Sequence, residues 1–461
     1  MVAAEPTRPA PARHTAAVGM LRRQYAALPP GTPVRLGKRT SNLFRFRPAA
    51  TGPVLSAERL DRVLAVDPAA RIADVQGMAT YEHIVATTLP YGLMPLVVPQ
   101  LKTITIGGAV SGLGIESSSF RHGLPHESVH ELEILTGDGR VVTATPYGEH
   151  ADLFAAFPNS YGTLGYALRL LIELTPVQPY VRLTHLRFTN AEDCLTTLDQ
   201  ICQEGSYDGQ PVDFLDGVVF APDELYLTVA RFVPEAPEVS DYTGQQIYYR
   251  SIPERTVDYL TVADYLWRWD TDWFWCSRAL GVQHPTVRRL WPRRWRRSDV
   301  YRRLVALDRR HRLSARWYRL RGQPEREDVI QDVELPVDRT AAFLEFFHAE
   351  IGISPIWLCP LRLRADHPWP LYPLTPGERY VNLGFWSTVP RAPDQPDGYH
   401  NRRIEQVVGE LGGHKSLYST VYYPPEEFWR RYNGPVYAAV KRAYDPDGRL
   451  PDLYDKCVRL R

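Results

Sequence analysis

"TITIGGAVSGLGIES", residues 103–117, sets four glycines and two serines between short apolar runs. Glycine costs chain entropy, so it is kept where φ must be positive or where something approaches the backbone closely. Three arrangements would call for it here. They are a β-bulge, a tight crossing of two segments, or a ligand whose phosphates or flat ring lie against the main chain. A glycine cluster alone does not choose among them.

The flanking sequence supplies elements. "IADVQG" (72–77) alternates as a strand does, and "TYEHIVATTLPYG" (80–92) carries helical periodicity from Ile84 to Leu89, ending near Pro90 and Gly92. "HELEILTGDGRVVTATP" (130–146) reads as a hairpin turning at Gly137-Asp138-Gly139, and "YALRLLIELTPV" (166–177) as a further strand. Residues 32–180 thus form an α+β unit of roughly 150 residues, an ordinary domain size. "TPVQPY" (175–180) reads as a linker. Beyond it, strands such as "GVVFAPDELYLTVARF" (217–232) mix with helical patterns such as "AAFLEFFHAEIG" (341–352), which predicts a second α+β unit over 181–425. No internal repeat or long low-complexity tract interrupts this pattern.

The totals agree. A chain of 461 residues exceeds one ordinary core. At 44% hydrophobic and 23% charged residues it is globular, and a net charge of +1 argues against bulk electrostatic binding to nucleic acid. Cys194, Cys202, Cys276, Cys359 and Cys457 are widely spaced and form no CxxC pair, so reduced thiols in a cytoplasm are expected rather than a disulfide frame or a metal site. No stretch reads as a signal peptide or as about 18 continuous apolar residues, so a soluble or peripheral protein is expected. Lysine occurs only at positions 38, 102, 415, 441 and 456, the remaining basic charge being arginine. With abundant Ala and Pro, this points to a GC-rich bacterial genome.

"GGAVSGLGIESSSFRHG" (107–123), then "LEILTGDGRVVTATP" (132–146), then "DLFAAFPNSYGTLGYALRLLIEL" (152–174) resembles, in order and spacing, the FAD-binding domain of the vanillyl-alcohol oxidase/PCMH superfamily. With "PIWLCP" (355–360), "YYPPEEFWRRYNG" (422–434) and "LPDLYDK" (450–456), the chain from about residue 32 onward is similar to the delta-24 sterol reductase branch. Length and "TSNLFR" look closer to actinobacterial reductases that convert a 10-methylene fatty acyl chain to a 10-methyl branch, as in tuberculostearic acid. The resemblance implies an α+β fold: a PCMH-type FAD-binding domain of two α+β subdomains (1–178), an α+β cap or substrate domain (179–435), and a C-terminal segment (436–461) returning to the first domain. It also implies a methyltransferase that supplies the methylene lipid.

By resemblance, the backbone of the glycine segment approaches the FAD pyrophosphate and ring, and Thr105, Ile106, Gly107, Gly108, Gly112, Gly114, Ile115, Glu116 and Ser117 fall on that contact. "RLGKRTSNLF" (35–44) matches the pyrophosphate loop, with Lys38, Thr40, Ser41 and Asn42 as donors; read blind, it is an ordinary turn. Gly162, Thr163, Leu164 and Gly165 match a later cofactor-contacting turn. The loop lacks the histidine that attaches flavin covalently in many superfamily members, so the FAD is expected to be non-covalent. A counterpart of the membrane-anchoring segment with which the vertebrate sterol reductase begins is not expected here.

An isolated C=C accepts hydride poorly unless it is protonated towards a tertiary cation, so the implied reaction needs an acid, a dry site and a reduced flavin reloaded by NADPH. Glu116 and His122 are the candidates for the acid; a Glu raised by burial can donate, or it can bind a backbone amide or ribose hydroxyl. His126 and His130 read as structural or surface residues, and Tyr380 and Trp386 as strand aromatics that line a pocket or fill the core. The competing classes are a superfamily oxidase of an alcohol or sugar lactone, and a non-catalytic membrane-binding protein.

Charge is uneven in "VRRLWPRRWRRSDVYRRLVALDRRHRLSARWYRLR" (287–321), where arginines alternate with Trp291, Trp295, Tyr301, Trp317 and Tyr318. Either this is a solvated face whose arginines pair with acids elsewhere, or it meets anionic headgroups at a membrane surface. No recognition motif accompanies it that would suggest nucleic acid. "YLWRWDTDWFWCSRALG" (265–281) adds aromatics that look interfacial, extending the expected membrane-facing segment to 265–321.

Overall fold

The computed structural model describes residues 11–38, 43–45, 53–311, 316 and 320–458. A helix α1 (Ala12–Ala26) covers a short parallel pair, β1 (Arg35–Gly37) and β2 (Val54–Ser56), around Leu21, Tyr25, Val34 and Leu55. Next comes an antiparallel sheet of β3 (Val63–Asp67), β4 (Ile72–Gln76), β5 (Leu93–Pro95), β6 (Val129–Leu135), β7 (Val141–Ala144) and β8 (Tyr166–Pro176). Its order is β3-β4-β8-β6-β7, with β5 also on β8. The helices between its strands include α2 (Tyr81–Thr88), capped by the Thr80 side chain, and α3 (Ile106–Ser111), capped by Thr105.

The second sheet has eight antiparallel strands, β9 (Tyr180–Phe188), β12 (Phe214–Ala221), β13 (Glu224–Val233), β14 (Val257–Thr261), β15 (Arg326–Pro336), β16 (Ile356–Leu361), β17 (Tyr380–Pro390) and β18 (His414–Lys415), in the order β14-β9-β13-β12-β16-β17-β15-β18. The two-residue strands β10 (Ser206–Tyr207) and β11 (Gln210–Pro211) form a separate hairpin. Period-2 alternation gives the large sheet two faces. Val329, Val333, Leu335, Leu358, Val381, Leu383 and Phe385 point to helices 191–204, 337–346 and 399–410, forming one core. On the other face, Trp357, Cys359 and Tyr380 join a cluster shared with Val75, Val110 and Leu170 of the first sheet, so one apolar core runs through both halves.

The C-terminal segment is held against the N-terminal half. Val34 N donates to Arg449 O at 2.7 Å, Asp138 N to Tyr444 O at 3.1 Å, and Lys441 Nζ to Thr163 O at 2.7 Å. The hairpin over 130–146, the strand over 166–177 and the hairpin over 217–232 are all present. All five cysteines are free thiols. No helix among the described residues is long and apolar enough to cross a membrane.

One expectation fails. The aromatics of 265–281 do not face outward: Tyr265, Trp269, Trp273, Phe274 and Trp275 are buried. Phe274 stacks on Trp269 at 4.9 Å and meets Trp386 at 4.3 Å. Tryptophan suits an interface and a core equally well, and what decides here is the aromatic surface that the large sheet presents to this loop.

Candidate functional site

Between the two sheets lies a cleft of about 1140 Å³, open mouth included. One wall is the segment from Pro99 to Ile115, in which Gly108, Gly112 and Gly114 leave the main chain bare. The facing wall is aromatic and belongs to the large sheet and its loop: Trp273, Phe274, Trp357 and Trp386. Tyr161, Ser416, Tyr418 and Asp332 close the end. Trp273 and Phe274 both adopt left-handed φ, 49° and 60°, a conformation that costs non-glycine residues energy and that surrounding packing has to hold. A second cavity of about 730 Å³ shares Lys38 and Thr105 with the first and is lined further by Gly37, Glu58, Asp61, Thr80 and His83.

The glycines divide by purpose. A Cβ on Gly107 would meet Gly77 O at 2.7 Å, and one on Gly77 would meet Ala167 O at 1.9 Å. This is the tight crossing, where α3 starts against β4 and β8, and Gly107 N donates to Gly77 O at 2.9 Å. Gly114 lies between Pro99 and Pro125. A Cβ on Gly108 would instead point beside the Thr105 cap and 3.6 Å from Lys38 Nζ, where the two cavities join. Crossing and bare wall are thus built by one run of sequence.

Of the residues singled out from sequence, Lys38, Thr105, Gly108, Gly112, Gly114 and Ile115 line the cleft. Ile106 and Gly107 are buried behind it. Thr40, Ser41 and Asn42 lie outside the described residues. Gly162, Thr163 and Gly165 shape the turn after Tyr161: Gly162 and Gly165 take positive φ, and Thr163 Oγ1 donates to Ser160 O at 2.7 Å. Among the described residues, no histidine or cysteine lines the cleft.

Neither expected acid lines it. Glu116 is buried in a charge network with Ser117: its Oε1 accepts from Ser117 N at 2.8 Å and from Arg268 Nη2 at 3.3 Å. Arg268 Nη2 also donates to Asp216 Oδ2 at 2.7 Å, while its guanidinium lies 4.0 Å over the Tyr265 ring. Trp269 and Trp357 indole N–H groups complete the shell of Asp216, each at 3.2 Å. Burial raises the Glu116 carboxyl although Arg268 opposes it. This is the backbone-amide reading of Glu116, extended by an arginine 152 residues away. Burial, with Arg121 and Arg364 nearby, pushes His122 down to about 4, so it is neutral near pH 7 and away from the cleft wall. His126 is buried edge-on against Trp369.

Sequence reasoning missed the carboxyl group that, among the described residues, does line the cleft. Burial pushes Asp332 up to about 7, against the opposing pull of the Asn382 and Tyr418 side chains. No motif marks the acids at 332 and 334, which alternate with Val333 and Leu335. The strand lies inside the sheet, and the face they share is the cleft.

A bare glycine wall opposite flat aromatics, continuing past a lysine into a polar chamber, suits a long ligand with a planar ring at one end and phosphates in its middle. Residues 27–145 match the family model described as an FAD binding domain. More of the chain is similar to two reductases, and a shorter part to a dehydrogenase. It is 27% identical to the Delta(24)-sterol reductase of Homo sapiens over 413 residues, 86% of this chain and 76% of that protein. The Delta(24)-sterol reductase of Arabidopsis thaliana is 26% identical over 446 residues, 87% of this chain and 75% of that protein. Cytokinin dehydrogenase 9 of Oryza sativa is 34% identical over 154 residues, 32% of this chain and 29% of that protein. The protein is an FAD-dependent oxidoreductase with a mixed α+β fold.

Proposed function

We propose that the protein reduces an isolated C=C bond in a lipid, with a 10-methylene fatty acyl chain on a phospholipid as substrate and NADPH as electron donor. The observation that carries this reading is the cleft wall facing the glycines. It is built from Trp273, Phe274, Trp357 and Trp386, with one carboxyl group at its end. Such a wall excludes water and accepts an alkyl chain, and offers few of the paired polar groups that a sugar or alcohol needs.

In this reading, FAD lies non-covalently along the glycine wall with Lys38 beside its phosphates, and it supplies hydride when reduced. Gly108, Gly112 and Gly114 leave room for it, and the tryptophans hold the alkene and stabilise positive charge developing on it. A Delta(24)-sterol or isoprenoid alkene is the second reading, supported by the reductases the chain resembles over most of its length. The "TSNLFR" segment and the arginine-rich composition support the acyl chain. Incubating purified protein with NADPH and each lipid, with product analysis by mass spectrometry, separates the two. A 10-methyl product is expected, and reduction of the sterol alone would make the second reading correct.

The lipid has to be reached. Arg288 and Arg296 are buried and tie backbone carbonyls together, and Arg297 pairs with Glu82 and Asp299, so part of the basic segment is structural. Its surface is different. Val287, Leu290, Trp295, Leu307 and Leu320 are exposed, Leu290 at 79% and Leu320 at 83%, among arginines that include Arg289 and Arg294. Trp317 and Tyr318 lie outside the described residues. This surface is read as a peripheral contact with anionic headgroups at the inner face of the membrane, where a methyltransferase makes the methylene lipid. Burying one leucine side chain contributes about 1.5–3 kcal/mol. Leu290→Glu with Trp295→Glu should therefore weaken co-sedimentation with phosphatidylglycerol vesicles at least tenfold, with an unchanged melting temperature. Unchanged vesicle binding would leave the segment as a solvated face.

A further inference from the structure

Resting on the reductase reading, we propose that Asp332 is the acid that protonates the alkene. Asp332 is the one carboxylic acid among the described residues lining the cleft, and it keeps some exposure there. Its Oδ1 has no hydrogen-bond partner. It sits directly opposite Gly384 on β17, where an added Cβ would come 2.5 Å from that oxygen and 2.5 Å from the Trp386 ring. The glycine thus leaves the carboxyl free beside the aromatic wall.

The groups around Asp332 are those of a site that keeps a proton. Glu334 lies two residues on along the same face. Asn382 comes from β17, Tyr418 and Ser416 from the loop after β18, Tyr161 from the turn before β8, and Cys359 from β16. Lys38 stands on the cleft lining. No ion pair to Asp332 occurs among the described residues, so burial governs it, and it titrates near 7.

Glu334 is fully buried. Its Oε1 accepts from Ser416 Oγ at 3.0 Å and its other oxygen from the Tyr372 hydroxyl. Burial, with Asp332 nearby, pushes it up to about 8. Ser416 lines the cleft, and its N–H donates to the main-chain carbonyl of Asp332 at 3.1 Å. Glu334 lines no part of the cleft and acts on Asp332 through its nearness along the same strand face.

The π pair takes the Asp332 proton to form a C–H bond at the less substituted carbon, leaving positive charge on the tertiary carbon before Trp386 and Trp357. One hydride equivalent from the reduced flavin, whose electrons come from the nicotinamide donor, closes that carbon. Asp332 is left as carboxylate and recovers one proton from solvent through the open mouth of the cleft. The alkene gains one proton and one hydride.

Asn at 332 mimics the protonated carboxyl in shape. Asp332→Asn should therefore fold, bind FAD and be reduced by NADPH as the parent is, while alkene-driven reoxidation of the flavin falls at least about 10²-fold. Without reference to turnover, carbon-13 NMR of aspartate-labelled protein should show one carboxyl titrating near 7 that disappears in Asp332→Asn. The acid form is required, so the parental rate should fall as pH rises through about 7. Glu334→Gln should alter that pH limb, and Asp332→Glu should restore part of the rate. Parental reoxidation in Asp332→Asn, or a carboxyl near 7 that survives the exchange, would overturn the proposal. Failure of the parent itself to be reoxidised by any alkene would instead remove the reductase reading beneath it.

Discussion

Exchanging Arg268 for methionine is expected to cost about 3–5 kcal/mol of stability, because the change leaves two buried carboxylates without their cation. Arg268 is 3% exposed, Asp216 1% and Glu116 2%, and one guanidinium nitrogen serves both acids. The attraction itself contributes little net stability, since desolvating three charges offsets it; the cost comes from breaking the set. It has a sign in pH. Burial raises the Glu116 carboxyl, and protonating it removes one unpaired charge, so the deficit should shrink as pH is lowered from 8 towards 5. Urea unfolding of parent and variant across that range measures it, and a deficit independent of pH would show that Arg268 acts by packing on Tyr265 instead. The network joins the glycine segment, at Glu116, to the floor of the large sheet, at Asp216. Loss of flavin at the variant's lower stability is therefore expected as well.

The second large effect concerns the crossing. Gly77→Ala should cost at least about 3 kcal/mol, beyond the usual range for overpacking, since the obstacle is backbone on both sides. The new Cβ would fall 1.9 Å from Ala167 O, and the hydrogen bonds from Gly77 N to Leu168 O and from Gly107 N to Gly77 O, both 2.9 Å, would have to open. Gly108→Ala is the contrast. Its Cβ meets the Thr105 hydroxyl and approaches Lys38 Nζ, both side-chain atoms on the cleft side. It should fold with a modest loss of stability and a weakened hold on FAD. Thermal melts of both variants, read beside the flavin absorbance retained after gel filtration, separate the roles. Equal stability losses would mean that the crossing is not the tight point.

Local pattern carried much of the fold. The hairpin turning at Gly137-Asp138-Gly139, α2 with its Thr80 cap and the long strands β8, β13 and β17 each announce themselves through alternation, helical period or turn chemistry within about a dozen residues. Trp386 was legible as a strand aromatic able to line a pocket, and it does. What stayed hidden depends on partners far along the chain. Glu116 finds Arg268 only through the fold, and the burial of Trp273 and Phe274 depends on a sheet whose other strands come later. No local pattern marks Asp332 and Glu334 as part of a site, since alternation tells which residues share a face but not what that face meets.

Anaerobic stopped-flow spectroscopy shows whether a bound flavin passes hydride to an isolated lipid alkene. The protein is reduced with one equivalent of NADPH, then mixed with vesicles carrying 10-methylene acyl phospholipid while the oxidised flavin band is followed. Return of the band with the alkene, and none with the saturated lipid, is the predicted result. A reduced flavin that ignores both the methylene lipid and a Delta(24)-sterol, yet reoxidises rapidly when oxygen is admitted, would contradict the claim and make the protein an oxidase.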